Sequence, residues 1–129
     1  MSTLRVNSVV NSAGGNTATI NGSQPINSSS NQIAKAWVNF NGTGTVAIRQ
    51  QLNISSITDN GTGLYTLNFT TAMPTADYSV AGVCQFDTTN GRSPRVFHAM
   101  IYNTTSLRIN TVSTSSSEDL PYINVVIFG

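Results

Sequence analysis

Ala36-Trp37-Val38-Asn39-Phe40-Asn41-Gly42-Thr43-Gly44-Thr45-Val46-Ala47-Ile48-Arg49 opens the stretch that decides the fold, and Leu64-Tyr65-Thr66-Leu67-Asn68-Phe69 closes it. The whole of 36–69 reads as three or four short strands punctuated by two copies of one turn, Asn41-Gly42-Thr43-Gly44 and Asn60-Gly61-Thr62-Gly63, the second preceded by Asp59. Asn-Gly suits tight hairpins because both residues tolerate the positive φ that a type I′ turn demands. Tyr65, Leu67 and Phe69 fall on one side at period two, with Thr66, Asn68 and Thr70 on the other, the pattern of a half-buried strand. The segments between the turns do not match, so the echo is one of turn chemistry and not an internal repeat.

Working outward, Ala36 to Asn41 and Thr45 to Arg49 are predicted strands, and Leu52, Ile54 and Ile57 carry apolar contacts into the corner at Asp59. Leu64 to Thr71 is the clearest strand. Further strands are predicted over Tyr78 to Phe86, Arg95 to Asn103, Ser106 to Val112 and Tyr122 to Phe128, with no convincing helix. Short strands with Asn-Gly corners predict an all-β chain: an antiparallel β-sandwich or jelly-roll-like domain over 33–129. Val96 to Tyr102 is apolar on both faces, which fits either a central strand or one covered by a partner. With Val125 to Phe128 it has the composition of a subunit interface. A core drawn from so short a chain is modest, and assembly would add buried area and cover sheet edges.

Composition limits the function classes. Charged residues are 9% of the chain, against about 25% in ordinary domains, and the net charge is +1. That argues against nucleic acid as a partner, which needs a basic footprint. The 39% hydrophobic content is patterned, so the chain is not of the disordered class. No signal peptide is read and no apolar run is long enough to span a membrane, so the chain is expected to be made and folded in a cytosol. Cys84, the single cysteine, cannot form an internal disulfide and is expected buried on the even-numbered face with Tyr78, Val80 and Phe86.

Residues 1–32 are polar and rich in small residues, with too few large apolar side chains for their own core. Leu4, Val6, Val9, Val10 and Ile20 would be wasted on a loose leader, so this segment is read as an extended arm that orders against a partner. Linker composition, Asn27-Ser28-Ser29-Ser30-Asn31, separates it from the β-domain.

Candidate chemistry is sparse. The acids are Asp59, Asp77, Asp87, Glu118 and Asp119. Asp59 and Asp77 lie in turns that explain them. Asp87 and the Glu118-Asp119 pair sit in loops able to meet at one end of a sandwich, where a glycosidase would need two facing carboxylates. Ser115 to Asp119 lacks the ordered spacing of a calcium loop. His98, the only histidine, lies in the most apolar strand and is expected packed or hydrogen-bonded, unless threefold assembly gathers three copies on an axis where they could hold a metal. No metal site or cofactor is predicted. Arg92 and Arg95 flank Ser93-Pro94 beside Asn90-Gly91. Loops on a rigid scaffold commonly carry binding, so Asp87, Asn90, Arg92, Arg95, Glu118 and Asp119 are the candidate ligand-contacting residues. Phe86, Phe97 and Tyr102 are the nearby aromatics.

Lys35 to Arg49, then Ile54-Ser55-Ser56-Ile57-Thr58-Asp59-Asn60-Gly61-Thr62-Gly63 and Tyr65, resemble a module of tailed-phage fibre proteins, especially those of phages of marine and freshwater bacteria, cyanophages among them. The opening Ser2 to Asn7 is similar to the start of many such chains. The likeness is dense from Lys35 to about Met73 and looser to Val83. It implies a virion fibre or spike subunit, homotrimeric, located in the particle, whose N-terminal arm, with Leu4, Val6, Val9 and Val10, docks to other virion proteins. It carries over no catalytic residue.

The expected function is therefore that of a virion structural protein, a tail-fibre or spike/head-fibre subunit attached to the particle, with adhesion to a host-surface glycan or protein by many weak contacts. A capsid decoration protein without receptor binding would look the same. The alternative is a monomeric carbohydrate-binding module or lectin, which needs an exposed aromatic platform, and Trp37, the only tryptophan, is set in an apolar strand. An enzyme is not expected, a polysaccharide-degrading fibre being the least favoured reading.

Overall fold

A computed structural model of the chain describes residues 33–85 and 95–129. The eight strands are β1 (Ala36–Asn41), β2 (Ala47–Leu52), β3 (Ile54–Asp59), β4 (Leu64–Phe69), β5 (Ser79–Gln85), β6 (Val96–Tyr102), β7 (Ser106–Val112) and β8 (Tyr122–Phe128). They form two four-stranded antiparallel sheets in the orders β2-β1-β8-β5 and β3-β4-β7-β6. The expected all-β sandwich is what forms, and all eight strands belong to one unit spanning Ala34–Gly129. The N-terminal arm residues lie outside the described residues.

Alternation builds the core. Ala36, Val38 and Phe40 of β1 and Ile123, Val125 and Ile127 of β8 face inward from the first sheet; Tyr65, Leu67 and Phe69 of β4 and Leu107 and Ile109 of β7 face them from the second. Phe40 and Tyr65 meet edge-to-face across the gap, with ring centroids 5.2 Å apart. Cys84 is buried in the same core, as expected, and burial pushes its thiol pKa up. A chain with few charges can still bury this set because the four inner strands, β1, β8, β4 and β7, each supply one apolar face, at roughly 25 cal/mol for each Å² removed from water.

The turns differ from the type I′ expectation. Neither Asn41 nor Asn60 has positive φ; the left-handed residues are Gly44 (φ 62°), Gly61 (120°), Gly63 (68°) and Asn53 (57°). Asn41 instead accepts hydrogen bonds from the amide and hydroxyl of Thr43 (3.2 and 2.8 Å), and Asp59 accepts one from the Gly61 amide (2.9 Å). These are side-chain-braced loops of four or five residues, and the second glycine of each copy carries the left-handed turn. Asn53 is the whole connection between β2 and β3 and moves the chain from one sheet to the other. Its carbonyl and its side chain accept the Thr70 and Thr71 amides, which ends β4 at Phe69, two residues earlier than predicted.

The β6 strand is not central. It sits at the edge of the second sheet, paired only with β7 among the described residues. Phe97 and Ala99 pack on the core, while Val96, His98, Met100 and Ile101 are exposed. A bulge between Ala99 and Ile101 breaks the alternation and leaves Met100 and Ile101, two consecutive apolar residues, open to solvent. Contrary to the expectation of a packed histidine, His98 is exposed and stands opposite Asn110 on the outer face.

Two of the left-handed glycines, Gly44 and Gly63, separate backbone strain from crowding. A β-carbon on Gly44 would meet nothing, whereas on Gly63 it would lie 2.5 Å from the Thr111 carbonyl oxygen and 2.7 Å from the Glu118 nitrogen. Gly44→Ala should cost about 1–2 kcal/mol, the left-handed penalty alone. Gly63→Ala should cost clearly more, because backbone on both sides must move. Urea unfolding of the two variants reads the difference, and equal losses would contradict it.

Candidate functional site

Of the predicted loop residues, Asp87, Asn90 and Arg92 lie outside the described residues. The other three are held by the fold. Arg95 Nε is 2.7 Å from Glu118, with side-chain exposures of 11% and 28%. Asp119 Oδ1 accepts the Gly63 amide (2.7 Å) and lies 2.7 Å from the Tyr65 hydroxyl, which is also 3.1 Å from the Gly42 carbonyl. One hydroxyl proton cannot serve both oxygens, and the shorter, charge-assisted contact is the stronger. Burial first, and then the bond to Asp119, push the Tyr65 pKa upward. Buried Thr111 completes this knot, donating its hydroxyl to the Glu118 carbonyl (2.7 Å). Glu118 and Asp119 thus brace the end of the sandwich where both Asn-Gly corners lie.

A more open arrangement lies on the outer face of the first sheet, where a groove of about 830 Å³ runs across the strands. Registers order the outward side chains of this face in two cross-strand rows. Leu52, Trp37, Val126 and Ala81 form an apolar row; Gln50, Asn39, Asn124 and Val83 form the next. Trp37 is outward because its neighbours Ala36 and Val38 are the inward pair. It is half-buried and lines the groove, so the indole is available where the sequence reading set it in an apolar strand.

Three polar side chains in this region are wired in one direction. A bulge between β1 and β2 pairs Asn39 with Gln50 and Phe40 with Ile48, leaving Arg49 without a ladder partner. Its guanidinium donates from Nη1 to Asn39 Oδ1 (3.2 Å) and stacks 4.7 Å over the Tyr122 ring centroid. Asn39 Nδ2 in turn donates to Asn124 Oδ1 (2.5 Å). Sequence reasoning missed Arg49 and Asn124 altogether. Their link to Asn39 spans 10 and 85 residues and exists only through strand register.

No family model matches the chain, and comparison with curated proteins and with solved structures likewise finds no match.

The Tyr65 proton gives a pH signature. Its folded pKa lies above the ordinary value of 10, so the neutral hydroxyl's contribution is intact below pH 10 and is lost as pH climbs beyond it. Denaturation curves collected from pH 8 to 11 should show the parent protein losing stability above pH ~10 more steeply than Tyr65→Phe, by up to about 1.4 kcal/mol per pH unit. Parallel losses in the two proteins would show that Tyr65 does not titrate through the fold.

Proposed function

We propose that the chain is a non-enzymatic structural subunit of a bacteriophage virion, a tail-fibre or spike/head-fibre subunit that assembles as a homotrimer, attaches to the particle and adheres to the host. The observation that carries the assembly part is β6. An edge strand ordinarily blunts itself with charge or proline, yet this one leaves Met100 50% exposed, and Ile101 46%, with Val96 and Tyr102 beside them. A single charged group, Arg108, lies opposite Ile101 on the adjoining strand. An apolar edge of this kind fits burial against another chain. The likeness of 35–73 to phage fibre modules supplies the virion context, with the N-terminal arm, through Leu4, Val6, Val9 and Val10, as the docking segment to tail or capsid proteins. The head is jelly-roll-like only in having two four-stranded sheets; its hairpins β1–β2, β3–β4 and β6–β7 each stay within one sheet.

A second reading, a monomeric carbohydrate-binding module, is favoured by the groove with Trp37. A capsid decoration protein would need the β6 edge but not the groove.

Light scattering after size exclusion tests the assembly. The full chain should show about three times its 13.7 kDa mass, and removal of residues 1–32 should leave a trimer, three times the mass of the shortened chain. Met100→Lys combined with Ile101→Lys should give a folded monomer. A monomeric full chain would overturn the fibre reading in favour of the binding module.

A further inference from the structure

We propose that the outer face of the first sheet is a carbohydrate-binding face for neutral hexopyranose units, with Trp37 as the stacking platform and the amide row of Gln50, Asn39 and Asn124 as the hydroxyl-reading edge. The inference rests on the adhesive part of the proposed function and names its ligand class. It does not need the trimer.

The direction of the polar wiring is the first support. A guanidinium can only donate, so the Asn39 oxygen must face Arg49. The Asn39 nitrogen then faces the Asn124 oxygen. Both amide orientations are thereby set by one cation, and Asn124 Nδ2 is left with no acceptor among the described residues. A chain of donors that ends in an unspent N–H pair is polarised toward an incoming oxygen. Gln50, opposite Asn39 in the same row, adds an exposed amide that can both donate and accept.

Spacing is the second support. Trp37 and Asn39 are two residues apart on one strand, roughly 7 Å along it, and neighbouring rungs of a row are separated by about 4.8 Å. A pyranose ring lying with its C–H face on the indole would set its rim hydroxyls over the amide row. Ala81, opposite Val126 in the apolar row, is small and leaves the groove open at the far side of that residue.

Charge and desolvation exclude other occupants. Among the residues lining the groove the one cation is Arg49, already engaged by Asn39 and the Tyr122 ring, and the two rows hold no carboxylate. That suits a neutral ligand better than a phosphate or an acidic peptide. An apolar protein surface would bury the amide row without partners, at a cost of about 1–3 kcal/mol for each stranded group. A polyhydroxylated ligand satisfies the amides and the indole together.

The chain's single tryptophan makes the test direct, since indole emission reports on the groove alone. The full chain should be applied to an array of immobilised glucans, galactans, mannans and chitin oligosaccharides, and any bound class titrated as the soluble oligosaccharide against Trp37 emission. The expected result is a saturable emission change that glycerol does not produce, binding lost in Trp37→Ala, and binding weakened about tenfold in Asn124→Leu, which keeps the size but removes the donor. Light scattering on both variants should give the parent mass. Absence of binding to all four classes would overturn the inference, as would binding that survives both substitutions. Neither result bears on the trimer, whose failure is read separately from the parent mass.

Discussion

One buried oxygen contact closes one end of this sandwich. The Tyr65 hydroxyl sits between the Asp119 carboxylate and the Gly42 carbonyl, and the same carboxylate takes the Gly63 amide. Three segments far apart in the chain meet there: the β1–β2 corner, the β3–β4 corner and the loop that leads into β8. Each would otherwise leave backbone polar groups facing an apolar core. Gly42 is needed at this point because a side chain would collide with the Tyr65 hydroxyl and with Ile123. The contact also positions β1 and β8, since Gly42 donates its own amide to the Leu120 carbonyl (2.9 Å) just before β8 begins. Those two strands carry the groove.

The two sheets present different outer faces, and bulges account for much of the difference. In β2 the bulge frees Arg49 from the ladder and lets it orient two asparagines. In β6 the bulge leaves Met100 and Ile101 solvent-exposed together at an edge. The same irregularity thus yields a polar, ordered surface in one case and an apolar, unpaired one in the other, according to the residue it releases. This division suits a subunit that assembles through one sheet and contacts a ligand through the other.

Much of the architecture was legible at period two. Tyr65, Leu67 and Phe69, or Leu107 and Ile109, declare their buried face without help from the rest of the chain. The failures have local causes. Asn41-Gly42 and Asn60-Gly61 suggested type I′ turns, but Asn41 and Asp59 brace longer loops through their side chains, and Gly42 serves a close approach. His98 was expected packed because its neighbours are apolar; position at a sheet edge, which composition does not encode, exposes it. Trp37 could have been placed outward from the alternation of Ala36, Val38 and Phe40, had the apolarity of the strand not suggested burial on both sides. Nothing local marks Asn124 or Arg49, because their partnership is a product of register. The loop residues Glu118 and Asp119 stood out as scarce acids, and the fold engages both in its own end.

Amide hydrogen exchange along β6 tests most directly whether this edge is built to be covered. The account predicts that the backbone amides of Val96–Tyr102 that do not pair with β7 exchange slowly at micromolar protein concentration and quickly on dilution, while amides within the β1–β8 pairing stay protected at both. Equally fast exchange of those β6 amides at every concentration would contradict it.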